Sequence, residues 1–288
     1  MINYDKKNDT YVGDKDAIDY FINVGFVITR KCVLECIHCC EIPDANDADT
    51  EKIKLIIDKL SVKKICVTGG EPLMRKDIVE ILEYIHSKGI NVTFSTNGIL
   101  LNRNKLLQIK PFIDNIRFSI YGNEKKHDEI TLKKGSYKKV IACLKMTKEL
   151  EIPAGLIMTA MRKNLDDLAD VIEICNQYNV SKLYLFSLMP TARGEKIYAT
   201  EYVSPEIISE KVSADSQRGN KCVIKVIDWR IEGQCVLVYG NGDVVAQPSY
   251  QDKGNKKIVG NLLKESSDQI WDKYPFKKAH VDYYLNSH

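Results

Sequence analysis

Nine of the 288 residues are cysteine, and four of the nine fall in one stretch, Cys32-Val33-Leu34-Glu35-Cys36-Ile37-His38-Cys39-Cys40. Clustered thiolates are soft metal ligands. Cys32, Cys36 and Cys39 stand in a C-x3-C-x2-C pattern. Structural zinc sites take four ligands, commonly from two C-x2-C pairs far apart in sequence, and no second pair exists here. Three thiolates on one short loop can instead hold a [4Fe–4S] cluster and leave one iron open to another ligand. Cys40 offers a competing set with Cys32 and Cys36. Cys66, Cys143 and Cys175 sit in apolar or helix-like stretches and read as small core residues.

The elements that must position this loop are legible as an alternation. Apolar runs at Gly25–Thr29, Lys64–Thr68, Asn91–Ser95, Asn115–Ile120, Ala154–Met161 and Lys182–Ser187 alternate with amphipathic stretches at Glu51–Leu60, Asp77–Lys88, Lys105–Ile109, Ser136–Leu150 and Leu165–Tyr178. Such alternation implies βαβ units and a parallel sheet. Six units fit in residues 22–190, short of the eight that close a full barrel. The expected fold class is α/β, a partial (β/α)6 TIM barrel with its catalytic face at the strand C-termini. Residues 1–21 form an N-terminal segment, and residues 191–288 a small β-rich C-terminal extension. Within the latter, Thr191–Asn220 reads as a polar connection with one short helix. Strands follow at Cys222–Ile227, Cys235–Tyr239 and Val244–Ala246, the last two joined by the hairpin signal Gly240-Asn241-Gly242-Asp243. Asp268–Tyr274 reads as a short helix.

Composition narrows the class. Lys plus Arg number 42 and Asp plus Glu 39, a balance of 42 − 39 = +3, which argues against a nucleic-acid binder. With 44% hydrophobic and 28% charged residues the chain can bury an ordinary core. No run of 18 apolar residues is present, so no transmembrane helix is expected. Met1–Tyr20 is polar and mixed in charge, unlike a secretory signal. A cytoplasmic location follows, where disulfides are rare.

At its motifs the sequence resembles the radical S-adenosylmethionine (SAM) enzymes. Gly69-Gly70-Glu71-Pro72 follows the second strand, Ser95-Thr96-Asn97-Gly98 the third, and Ser119-Ile120-Tyr121-Gly122 the fourth, with His127-Asp128 shortly after. The resemblance implies a [4Fe–4S] cluster on Cys32, Cys36 and Cys39, since this spacing rather than the one through Cys40 matches most of the family. It implies SAM chelated at the open iron and cleaved by one electron to a 5′-deoxyadenosyl radical. Gly69, Gly70 and Glu71 would face the SAM amino group, with Pro72 closing the motif. Ser95, Thr96, Asn97 and Ser119 would meet its carboxylate or ribose, as could Arg162 past the fifth strand. His38 replaces the usual aromatic residue before the third ligand and would stack on the adenine.

The C-terminal part resembles the SPASM or twitch extension, on Gly240-Asn241-Gly242-Asp243-Val244, Gly260-Asn261-Leu262 and Ile270-Trp271. Those extensions bind auxiliary clusters through further cysteines, one commonly after a proline. Here Pro248 is followed by Ser249, and only Cys222 and Cys235 remain. The expected extension keeps the scaffold without an auxiliary cluster. Cys222 and Cys235 are then buried strand residues or hydrogen-atom donors to a substrate radical, as in related epimerases. The resemblance implies an enzyme acting on a peptide or small natural product by epimerisation, dehydrogenation, dehydration or cross-linking. Its electron donor would be a flavodoxin or ferredoxin, with no nucleic-acid polymer and no membrane as partner. A viperin-like nucleotide-modifying enzyme and a non-catalytic metal-bound scaffold are the alternatives.

Overall fold

A computed structural model describes residues 2–6, 9–216, 221–247 and 257–285. Pro248 and Ser249, where an auxiliary-cluster cysteine would be expected, lie outside the described residues. The chain opens with a hairpin of β1 (Asn3–Asp5) and β2 (Thr10–Val12). Six parallel strands follow in sequence order across one sheet: β3 (Phe21–Thr29), β4 (Val62–Gly69), β5 (Asn91–Thr96), β6 (Asn115–Ser119), β7 (Ala154–Ala160) and β8 (Lys182–Ser187). Their crossovers carry α1 (Thr50–Asp58), α2 (Ile78–Ser87), α3 (Arg103–Ile109), α4 (Glu124–Thr131), α5 (Ser136–Glu149) and α6 (Leu168–Tyr178). This is the expected α/β partial barrel. Helix α4 is an addition. Its sequence EKKHDEIT is too polar to show an apolar stripe. It forms because the Asn123 side chain accepts from the Lys126 amide at 3.1 Å and caps its start.

Beyond residue 190 the connection holds two helices rather than one, α7 (Ala192–Glu201) and α8 (Pro205–Ser216). Helix α7 buries only Gly194, so it has no apolar periodicity to read. The strands of the extension join the same sheet at both edges. β9 (Val223–Ile227) pairs parallel with β8, and β10 (Val236–Tyr239) pairs parallel with β3. The Asn241-Gly242 turn then leads antiparallel into β11 (Asp243–Ala246), followed by β12 (Ile258–Asn261). The ten strands run in the order β12-β11-β10-β3-β4-β5-β6-β7-β8-β9. Two C-terminal helices, α9 (Ser267–Asp272) and α10 (Lys277–Leu285), pack beside β3, where the buried His280 accepts the Ile22 amide on Nε2 at 3.0 Å.

Strand alternation divides the sheet into two surfaces. Ile65, Val67, Ile116 and Phe118 turn outward into the apolar core under the helices. Lys64, Cys66 and Thr68 alternate onto the inner surface, as do Arg117 and Ser119 on β6 and Lys182 and Tyr184 on β8. Cys143 and Cys175 are buried as expected, whereas Cys66 is half-buried on the inner surface and belongs to no apolar cluster. Its apolar neighbours in the run Ile65-Cys66-Val67 face the other way, into the core. No helix among the described residues is long and apolar enough to cross a membrane.

Candidate active site

The cysteine loop leaves β3 at its C-terminal end and turns over the ends of β4, β5 and β6. Paired registers set those ends side by side, with Thr29 opposite Gly69 and Thr96 opposite Phe118. A cavity of about 150 Å³ opens between loop and strand ends. Cys32, Cys36 and Cys39 line it, together with Gly69, Gly70, Ser95, Thr96, Asn97, Ser119 and His38. Cys40 is exposed and does not line it. Among the described residues no group of three or more ligand-type side chains already stands at metal-binding distances. The three thiols nevertheless share one cavity wall and sense one another electrostatically. Burial, then Cys39 and Cys32, pushes the Cys36 thiol up to about 12. Burial likewise raises Cys32 and Cys39. Thiols in such surroundings become thiolates when a metal centre supplies positive charge. The donor set therefore fits an iron–sulfur cluster.

The loop is held in place by backbone contacts that require particular residues. The Gly70 amide donates to the Thr29 carbonyl at 2.9 Å and the Glu71 amide to Lys31 at 2.8 Å. Gly69 adopts φ +145°, and a Cβ on it would lie 2.1 Å from the Thr29 carbonyl oxygen; one on Gly70 would lie 2.2 Å from that of Lys31. The two glycines thus permit the second strand end to lie against the root of the cysteine loop. On the far side, the Arg193 amide at the start of α7 donates to the Cys39 carbonyl at 3.1 Å. The Arg193 guanidinium also lowers the Cys39 thiol, though less than burial raises it.

Glu71 is fully buried. Its carboxylate accepts from the Leu73 amide at 3.0 Å, the Thr96 hydroxyl at 2.8 Å and the Asn97 amide at 2.7 Å. These donors tie the second and third motifs together, and Asn97 in turn reaches Cys32 Sγ with Nδ2 at 3.6 Å. Pro72 is buried at the start of a short 3-10 turn, Pro72–Met74. His38 lies in ring contact with Tyr121, centroids 4.4 Å apart, and Tyr121 stacks on His127 at 5.4 Å. Burial holds His38 down to about 3 and His127 to about 4. Both rings are neutral, and the His127 Nδ1 accepts the Tyr121 amide at 3.3 Å. The His38 Nδ1 is buried without a partner.

Leu34, Thr68, Tyr121, His127 and Thr131 complete the lining. Tyr121 was recoverable, since strand alternation puts it on the same side as Ser119. Asp128 serves structure instead. It accepts from the Tyr137 amide and the Ser136 hydroxyl, both at 2.9 Å, and fixes the turn from α4 to α5. Arg162 carries an exposed side chain and does not line the cavity. Cys222 precedes β9 at the N-terminal end of the sheet, opposite the cavity, and interacts with Cys175. Cys235 precedes β10 at that same end, where its thiol meets Tyr283.

Residues 26–175 match the model of the radical SAM superfamily. The chain is 26% identical over 274 residues to an Fe-coproporphyrin III synthase of Methanosarcina barkeri, covering 86% of this chain and 69% of that protein. It is 28% identical to an AdoMet-dependent heme synthase of the same organism, over 63% of this chain and 54% of the relative. The chain thus spans between half and about two thirds of the length of these relatives. Its fold resembles that of Streptococcus suis SuiB, solved with the precursor peptide SuiA. The TM-score is 0.74 at 14% identity, covering 92% of this chain and 67% of SuiB.

Proposed function

Because this chain belongs to the radical SAM superfamily, we propose that Cys32, Cys36 and Cys39 hold its [4Fe–4S] cluster and that the adjoining cavity holds SAM. The cluster and SAM are the cofactors of the family, and together they supply a 5′-deoxyadenosyl radical to a substrate. The chain's own residues bind, orient and exclude water. Asn97, fixed by Glu71 through its backbone amide, presents a side-chain amide at the cavity wall, and Ser95 and Ser119 add two hydroxyls, while the Thr96 hydroxyl is spent on Glu71 and the Gly98 amide. These groups suit the carboxylate and ribose of SAM. His38, neutral and backed by Tyr121, presents a flat ring face suited to adenine. Gly69, Gly70 and Pro72 keep the motif's backbone at the wall, and Arg162 is assigned no contact. One observation carries the reading: three thiols of one loop and the ends of three strands line a single cavity.

The substrate is a peptide or a small natural product, converted after hydrogen abstraction. The fold's likeness to SuiB favours the peptide. The relationship to a coproporphyrin synthase and a heme synthase favours a tetrapyrrole, a natural product of the second kind. Residues 191–288 would act as a SPASM- or twitch-like scaffold without an auxiliary cluster. Of the two cysteines weighed as hydrogen-atom donors, Cys235 faces ionisable groups of the barrel interior, while Cys222 faces Cys175. Unchanged product from both Cys222→Ala and Cys235→Ala would remove that role. A flavodoxin- or ferredoxin-type donor would supply the electron. Anaerobic reconstitution followed by iron counting tests the assignment. About four irons per chain, with SAM-dependent change in the cluster spectrum, are expected. Zinc in place of iron would support a scaffold, and about eight irons would restore an auxiliary cluster.

A further inference from the structure

Below the cofactor cavity, the inner surface of the barrel is charged. The hairpin β1–β2 inserts Asp9 there, where its carboxylate pairs with Lys64 and with Arg117 Nη2, the latter at 2.6 Å. The Tyr184 hydroxyl donates to the same carboxylate at 2.6 Å, and Lys182 Nζ donates to the Asp9 carbonyl at 2.8 Å. Burial pushes the Asp9 carboxyl up, but Arg117 and Lys64 outweigh it and hold it well below the usual carboxylate range. Three cations therefore surround one carboxylate, with half-buried Asp5 acting on Lys182 from the hairpin. A surplus of buried positive charge is costly unless an anion joins it.

Arg117 is the cation nearest the cavity. It pairs in register with Ser95 and stands two residues before Ser119, and both serines line the cavity. Its guanidinium lies over the Tyr184 ring at 4.2 Å and spends Nη2 on Asp9 and Tyr184. Its Nε is buried and has no partner, and neither has the buried Thr93 Oγ1 on the neighbouring β5 or the buried Asn115 Oδ1 two residues back on β6. The Arg117 side chain keeps 13% of its surface accessible although strands enclose it, so the space beside it is not filled. Gly155 on β7 makes room for the Arg117 stem itself, since a Cβ there would stand 3.3 Å from its Cγ.

We infer that this chamber binds a carboxylate of the substrate, with Arg117 as the receiving group and Asp9 as the built-in counter-ion that limits its charge. The inference rests on the proposed function, since it names the chemistry of the substrate that the radical would meet. A guanidinium is the side chain suited to a carboxylate. Asp9 and Tyr184 fix its orientation before the ligand arrives.

The test is calorimetric titration of the full chain with glutarate and, separately, with glutaramide, which has the same shape without the charge. Glutarate is expected to bind and glutaramide not to. Arg117→Gln should weaken glutarate at least tenfold, and Asp9→Asn should tighten it severalfold, a gain that a misfolded protein would not give. A blocked Ala-Glu-Ala tripeptide in parallel locates the source. Binding of the tripeptide and glutarate alike supports a carboxylate carried on a peptide, and binding of glutarate alone supports one on a small molecule. Equal binding of glutarate and glutaramide by the unaltered protein, or binding of neither, overturns the inference. SAM cleavage measured on the same reconstituted protein separates the two readings. Cleavage without a preference for glutarate overturns the chamber and leaves the function; a preference without cleavage supports the chamber and overturns the function.

Discussion

At the scale of single residues, the site depends on side chains that have lost their freedom to other groups. Glu71 gives its carboxylate to three donors of the protein. Glu71→Gln removes the charge that makes those bonds strong and should cost about 1.5–3 kcal/mol of stability. Urea unfolding checks this, and an unchanged midpoint would contradict it. His38 offers a ring rather than a charge, so His38→Phe should keep SAM affinity, while His38→Ala should weaken it roughly tenfold, about 1.4 kcal/mol. Equilibrium dialysis with the reconstituted protein distinguishes the two variants. The motif Gly69-Gly70-Glu71-Pro72 was readable in the sequence, but the direction of its groups was not. A motif marks a position on the chain, while the three donors to Glu71 come from two separate segments that meet only in the fold. The same holds for Cys66, where an apolar context in sequence concealed a polar context in space.

At the scale of elements, the positions of strand ends matter more than their lengths. Thr29 and Gly69 lie opposite each other, and the cysteine loop is anchored on that pair. Gly69→Ala would force a side chain at φ +145° into the Thr29 carbonyl. The expected loss is about 1–3 kcal/mol, read as a lowered thermal midpoint together with poorer iron incorporation. Normal stability and normal iron content would show that the anchoring is unimportant. The six barrel strands were legible because short runs rich in β-branched and aromatic residues alternate with helix-period stretches. The destinations of β9 and β10 were not legible. Both are short strands after a polar connection, and local pattern does not say which edge of a sheet a strand will join. Helix α7 was hidden for a related reason, since only Ile197 and Tyr198 of its side chains pack in the cluster that holds Ile37 of the cysteine loop, and backbone groups supply its bonds to Cys39.

At the scale of the whole molecule, three neutral histidines, the half-buried His38 and the buried His127 and His280, link stability to pH. Burial holds His38 and His280 down to about 3 and His127 to about 4, against an ordinary value of 6.5. Between those values the unfolded chain binds protons that the folded chain does not. Stability is therefore full above about pH 6.5 and falls as pH drops toward 4, by about 1.4 kcal/mol per pH unit for each histidine. Urea unfolding at pH 7, 6 and 5 should show the midpoint fall steadily, whereas a flat profile would contradict the neutral assignment. The account as a whole turns on whether this fold, with one three-cysteine loop, generates the adenosyl radical. The direct measurement is 5′-deoxyadenosine formed from SAM by the anaerobically reconstituted chain under dithionite, for the unaltered protein, Cys39→Ser and Cys40→Ser. The account predicts product from the unaltered protein and from Cys40→Ser, and none from Cys39→Ser. Product lost in Cys40→Ser but kept in Cys39→Ser would contradict the ligand assignment, and no product from the unaltered, iron-loaded protein would contradict the central claim.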